Sequence, residues 1–364
     1  MNDLNKIKVW QRLYEQKGLG LTNALKLINS LGDPINYIGK KNEQLNEVSY
    51  IHEEIKSSLQ KDIDPANWKK IVNYIETKPD FKFLCILDDD YPEALKHIYH
   101  PPLALTAFGD ISLLKSEEII SVVGTRKPTH YGKYMCEKII NSLVINNYIT
   151  CSGLALGIDS IVHKKTIEYD GSTIAVMAGG LDSIYPPQNR ELANKIIQKG
   201  LVLSENFPFT HIEKYHFPQR NRIVSGLSKA VCIIEGNLKS GALITAKYAL
   251  EQNKEVYALP GDITKPEALG PNFLIQKGAK IMLSPKDIVN DFNVDYIPVV
   301  QTQKIELTET EAKIYDLIKE STEIHIDLLA IQTGMSISEL SSILFMLEMK
   351  DAVKTTDSGK YIIL

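Results

Sequence analysis

The chain has 364 residues, 44% of them hydrophobic, and a formal net charge of −4 at pH 7. That length divides into two or three units with sizeable cores, and the negative balance excludes phosphate affinity arising from overall charge, so any such affinity needs a local basic surface. Cys85, Cys136, Cys151 and Cys232 show no CxxC pairing and lie mostly in or beside apolar runs, the pattern of buried reduced thiols and not of a metal site or disulfide framework.

The opening MNDLNKIKVW has no secretory h-region and no apolar stretch reaches membrane-spanning length, so the expected compartment is the cytoplasm and no membrane contact is expected. Residues 1–75 form the first expected unit, a small helical domain. In GLGLTNALKLINSLGDPINYI, Leu19, Ala24, Leu27, Ile28 and Leu31 recur at helical spacing, with Gly18 and Gly20 ahead of the helix and Gly32 behind it. A glycine turn between two helices is how a helix-hairpin-helix (SAM-like) unit offers backbone N–H groups to phosphate; it is equally the pattern of a plain αα-hairpin.

From 80 to 293 short β-rich runs alternate with helical stretches: FLCIL (83–87), EIISVV (118–123), YITC (148–151), STIAVM (172–177), LVLS (201–204), AVCIIE (230–235) and EVYAL (255–259). Near-continuous apolar runs of this kind are buried on both faces, which predicts an α/β unit with a mostly parallel, Rossmann-like sheet. After the polar join NVDYIPVVQTQK, residues 304–364 read as three helices and a β-hairpin turning near Asp357, Ser358 and Gly359, a winged helix. Thr308 and Glu311 are placed for a capping box, and a turn is expected around Gly334. This segment holds six Lys against eleven acidic residues, a net −5, so a protein contact or a structural role is expected of it before duplex DNA binding.

The chemistry is expected at the C-terminal ends of the parallel strands, where open α/β sheets bind ligands. Run 118–123 leads into Gly124-Thr125-Arg126, with a helix following whose N-terminus would face an anion; Arg126 is suited to bidentate phosphate contact. Run 148–151 leads into Ser152-Gly153-Leu154-Ala155-Leu156-Gly157, run 172–177 into Ala178-Gly179-Gly180, and run 230–235 into Gly236-Asn237-Leu238-Lys239-Ser240-Gly241. Between runs 201–204 and 230–235, HIEKYHFPQRNRIVSGLSKA interleaves Lys214, Arg220 and Arg222 with Tyr215, His216 and Phe217. Cations alternating with flat rings suit a single strand whose phosphates are neutralised and whose bases are stacked; the other reading buries Phe217 in the core and pairs the arginines with acidic neighbours. Asp159 and His163, four apart, are read as structural, with Asp159 opening a helix. No catalytic residue, metal or cofactor is expected.

These segments resemble, in order, the DprA/Smf (DNA processing protein A) family. The resembling blocks are LDDDYPEALKHIYHPPLALTAFGD, GTRKPTHYG, SGLALGIDSIVH, TIAVMAGGLDSIYPPQN, LSENFP, HFPQRNRIVSGLS, SGALITAKYALEQNKEVYALPG and GPNFLIQKGA. The resemblance implies a homodimeric single-stranded DNA binder, paired through the Rossmann-like domain, that loads the RecA recombinase during natural transformation. The DNA contacts expected are Gly124, Thr125, Arg126, Gly153, Lys214, Phe217, Arg220, Asn221, Arg222, Ser240 and Gly241; of these the resemblance implies Arg126 and Lys214 on phosphate and Phe217 on a base. Thr125 replaces a usual Ser, Leu156 stands where Arg is common, and Ala242 replaces a Ser. A nucleotide-hydrolysing enzyme of the LOG/lysine-decarboxylase-like group is the alternative; its PGGxGTxxE signature is missing from EGNLKSGALITAKYALE. A dinucleotide-dependent enzyme is discounted, because Gly124 is not part of a GxGxxG.

Overall fold

A computed structural model describes residues 3–61, 65–292, 307–321, 323–350, 352–356 and 359–363. The chain forms two compact units, Met1–Tyr296 and Ile297–Leu364. The first begins with helices α1 (Leu4–Glu15), α2 (Gly20–Leu31), α3 (Glu43–Glu47), α4 (Glu53–Gln60) and α5 (Pro65–Glu76). The α1–α2 turn uses Gly18 and Gly20 at φ +81° and +68°, backbone angles that favour glycine.

The sheet follows, with β1 (Phe81–Cys85), β2 (Ala104–Gly109), β3 (Ile119–Val123), β4 (Ile149–Ser152), β5 (Thr173–Met177), β6 (Leu201–Ser204), β7 (Ala230–Ile233), β8 (Glu255–Ala258) and β9 (Lys280–Ile281). Between them run α6 (Glu93–Lys96), α7 (His130–Ile145), α8 (Ile158–Glu168), α9 (Arg190–Lys199), α10 (His216–Leu227), α11 (Gly241–Glu251), α12 (Pro266–Gln276) and α13 (Asp287–Phe292). The strand order is β1-β2-β6-β5-β4-β3-β7-β8-β9. From β6 through β9 neighbouring strands pair in parallel, while β1 and β2 add an antiparallel border. The mostly parallel expectation therefore holds, with a two-strand antiparallel edge and the short β9 added to it. The chain turns from one half of the sheet to the other between β3 and β7, and in open α/β sheets the crevice outside such a switch point takes ligands.

Helices cover both faces. Ile223, Val224 and Leu227 of α10 with Ala242, Ala246 and Ala249 of α11 pack one face; Ile139, Ile140 and Leu143 of α7 with Ile158 and Val162 of α8 pack the other. Strands β3 and β5 are buried along their whole length, which explains their unbroken apolar sequence. All four cysteines are buried and free. The N-terminal helices share a core with the sheet: Trp10, Leu13 and Leu27 cluster with Phe81, Phe108 and Phe207, and Tyr14 meets Phe207 at 5.9 Å between ring centroids.

In the second unit α14 (Glu309–Ser321), α15 (Ile326–Thr333) and α16 (Ile337–Met349) accompany a three-stranded sheet of β10 (Ile324–His325), β12 (Lys360–Ile363) and β11 (Val353–Thr355). Thr308 N donates to Glu311 Oε2 at 2.7 Å and Glu311 N to Thr308 Oγ1 at 3.3 Å, closing the expected capping box. Gly334 ends α15 in the left-handed conformation. The join from residue 293 and the hairpin tip at Asp357 and Ser358 lie outside the described residues. No single helix among the described residues is long and apolar enough to cross a membrane.

Because Trp10 is 1% exposed in a core common to helices and sheet, Trp10→Ala should cost about 3–5 kcal/mol. The loss should appear as one shifted transition for helices and sheet together in a thermal melt followed by amide exchange; early, separate melting of the helices would show that the two cores are independent.

Candidate nucleic-acid interface

A cleft of about 530 Å³ opens at the C-terminal ends of β3, β4 and β7, lined by Gly124, Thr125, Arg126, Gly153, Phe217, Arg220, Asn221, Ser240 and Gly241. Nine of the residues singled out in the sequence thus meet in one place. Lys127 and Lys239 join them, so four cations face two carboxylates, Asp159 and Glu267. The local basic surface that the chain's net charge demanded is here. Both lysines sit in the glycine loops already marked as strand ends, and only their meeting across the sheet reveals them as partners.

The cleft is organised around Arg220, which is 7% exposed. Its Nη1 donates to the carbonyls of Gly153 and Val176 and its Nε to Asn221 Oδ1 at 3.1 Å, tying α10 to the ends of β4 and β5. A Cβ at Gly153 would stand 2.5 Å from the Arg220 Cζ, so glycine is required for the guanidinium to lie across this loop. Asp159, also buried, accepts from the N–H groups of Gly153 at 3.2 Å and Ala155 at 3.4 Å. Burial raises the Asp159 carboxyl and lowers the Arg220 guanidinium from their ordinary values, and each charge opposes the other's shift. Asn221 Nδ2 reaches Gly241 O at 3.2 Å, linking α10 to the start of α11.

The N-terminus of α7 is not open to a phosphate as the sequence suggests. Glu235 at the end of β7 occupies it: Thr129 donates to the carboxylate through its N–H at 2.9 Å and through Oγ1. A Cβ on Gly132 would sit 2.2 Å from that carboxylate. An internal anion therefore fills the site that phosphate would take. The N-terminus of α11 does border the cleft, capped by Ser240, whose Oγ accepts from Ala242 N at 3.3 Å.

Phe217 is half-buried and, among the described residues, belongs to none of the apolar clusters. Its ring lies 5.8 Å from the Arg126 guanidinium carbon and 5.7 Å from the Tyr185 ring, at 62°. Leu156 lies in the same corner with Arg126, Tyr185 and Phe217. Tyr185 lies in the block TIAVMAGGLDSIYPPQN, but nothing in that block ties it to Phe217, which it approaches only through the fold.

Two residues do not line the cleft. Lys214 is exposed just ahead of α10. Arg222 is 5% exposed, and its Nη2 pairs with the buried Glu205, which corrects the expectation that it contacts DNA. Residues two apart on a helix point to opposite sides, so with Arg220 turned into the cleft, Arg222 is turned into the protein. His163 is likewise structural: its Nδ1 bonds Thr173 Oγ1 at 2.7 Å, and burial pushes its pKa down to about 3, so the ring is neutral. Among the described residues no group of acidic, His and Cys side chains is arranged to hold a metal ion.

These positions separate the aromatic from the buried arginine. Phe217→Ala should lower the melting free energy by less than the roughly 3–5 kcal/mol of a core Phe, whereas Arg222→Ala, leaving Glu205 buried and unpaired, should cost about 3–5 kcal/mol. Chemical denaturation of both variants checks the order.

Residues 82–293 match the family model for DNA recombination-mediator protein A, and residues 301–359 match that for the DprA winged helix domain. The chain is 46% identical over 214 residues to DNA processing protein DprA of Bacillus subtilis, covering 58% of this chain and 72% of the relative. It is 36% identical over 291 residues to that of Streptococcus pneumoniae, covering 77% and 97%. The X-ray structure of the pneumococcal protein superposes with a TM-score of 0.66 at 32% identity, over 79% of this chain and 97% of that one. DNA processing protein A from Helicobacter pylori, solved for its single-stranded DNA binding mode, gives 0.54 at 32% identity, over 59% and 97%. With this sheet, this strand-end cleft and matches of this extent, the chain belongs to the DprA/Smf family of DNA processing proteins.

Proposed function

We propose that this chain binds single-stranded DNA in the strand-end cleft, in the cytoplasm, and delivers it to the RecA recombinase in natural transformation or recombination without itself acting as an enzyme. The observation that carries the reading is the meeting of exposed cations with a half-exposed ring: Arg126, Lys127 and Lys239 around Phe217. Cations neutralise the backbone and the ring receives an unstacked base, a combination that duplex DNA cannot use. Lys214, exposed ahead of the same helix, is a further cation available to a phosphate outside the cleft. The H. pylori relative's single-strand binding supports the reading, and the recombinase step rests on family membership. Asp159 and Glu235 are both engaged by loop N–H groups, which favours a structural role for them over one in hydrolysis.

Purified protein should shift single-stranded oligonucleotides in preference to duplex. Arg126→Ala should make log K against log salt shallower by roughly 0.7 for the one phosphate it neutralises. Phe217→Ala should keep the slope and lose roughly 1–3 kcal/mol of affinity. Equal affinity for duplex, or an unaltered slope in Arg126→Ala, would overturn the assignment.

The pairing surface of the proposed homodimer is best sought around the α12–β9 turn. Leu269 and Phe273 lie one helical turn apart on α12, Ile281 ends the short edge strand β9 and Leu283 follows it, all exposed. An open sheet edge beside an apolar helix stripe suits pairing with a second copy. Phe273→Asp should convert the species seen by light scattering from dimer to monomer; a monomeric native chain would remove the dimer from the proposal.

A further inference from the structure

A second cleft, of about 720 Å³, lies between the start of α7 and the loop that follows β8. Its walls are apolar: Ile234, Leu259, Pro260, Ala268 and the ring of Tyr131. The ring is 45% exposed and is pinned in place by its hydroxyl, which donates to Pro260 O at 3.0 Å. Charge sets the two clefts apart. Glu235, Asp262 and Glu267 line this one against Lys265, while cations dominate the first. Glu267 lines both, so the two clefts share a wall.

A polyanion held by the first cleft can place only a neutral part of itself in the second, because phosphate is repelled there. In a nucleic acid that neutral part is the base. Tyr131 and Pro260 offer a flat apolar wall for it. Asp262 is taken up by Thr264, whose N–H and hydroxyl both donate to it at 2.8 Å, but the Glu267 carboxylate has no hydrogen-bond partner among the described residues. A carboxylate accepts two parallel N–H bonds, the pair that guanine presents with N1–H and its N2 amino group. Thymine offers one N–H between two carbonyl oxygens, which repel a carboxylate.

The geometry points to a base-reading pocket: the second cleft holds one nucleobase of the bound strand and selects guanine through Glu267. This rests on the single-strand reading above and adds a sequence preference to it.

The test compares oligothymidylate with oligonucleotides of the same length carrying one guanine at successive positions, by fluorescence anisotropy on the full chain. Guanine at one position should bind about tenfold tighter, the scale of one bidentate base contact. The guanine-to-thymine ratio should fall to about one in Glu267→Gln and in Tyr131→Ala. A second readout uses only the native chain: at the preferred position, the guanine's N1 and N2 should be protected from kethoxal. Tight oligothymidylate binding with a flat guanine profile and no protection overturns the pocket and leaves the single-strand reading standing. A guanine preference that survives both substitutions places the selection elsewhere and overturns it too. Failure to bind any single strand sinks both readings.

Discussion

The buried Arg220 guanidinium is the contact on which the interface depends. It joins the carbonyls of Gly153 and Val176, the side chain of Asn221 and the charge of Asp159, so the ends of β4 and β5 and the starts of α10 and α11 are placed relative to one another. A buried cation is stable only when its charge and its donors are met, and here carbonyls, an amide and a carboxylate meet them. Glycine at 153 is the steric condition for that arrangement. Arg220 thus shapes the cleft more than it offers charge to a ligand.

The distribution of carboxylates decides where a phosphate can bind. Glu235 fills the N-terminus of α7 and Asp159 the loop N–H groups after β4, so two of the anion sites that an α/β sheet ordinarily offers are taken by the protein's own side chains. What is left for an external polyanion is the rim of Arg126, Lys127 and Lys239 beside the N-terminus of α11. The chain as a whole is net −4, and the winged-helix segment, net −5 over 304–364, adds no net positive charge.

Mechanical continuity comes from the shared apolar cluster of the first unit. Trp10 and Leu27 belong to the cluster that holds Phe81 and Phe207, and Phe207 lies in the connection between β6 and α10. The N-terminal helices therefore brace the connection that carries Lys214 and, at the start of α10, Phe217. Glu205, in the same connection, pairs with Arg222 on α10, fixing the rotation of α10 that turns Arg220 toward the cleft.

Much of this was legible in the sequence because it is periodic or local. Unbroken apolar runs required buried parallel strands, the Thr308–Glu311 spacing required a capping box, and glycines after successive strands marked the rim. Strand β9 escaped because it has only two residues; β2 is an apolar run like the others, and only its antiparallel pairing with β1 and β6 sets it apart. The site divided differently. Arg126 and Phe217 were found by residue type, since a cation in a strand-end loop and a ring among cations are local facts. Which arginine is free and which is buried depends on the rotation of α10, and whether a helix N-terminus is open depends on what another strand places there. Glu235 is separated from Thr129 by 106 residues, a distance over which spacing carries no information. The sequence by itself determined the sheet, the rim and the residue types; the tertiary structure alone decided which charges face a ligand and which are consumed holding the rim in place, because that choice is made between groups far apart in the chain.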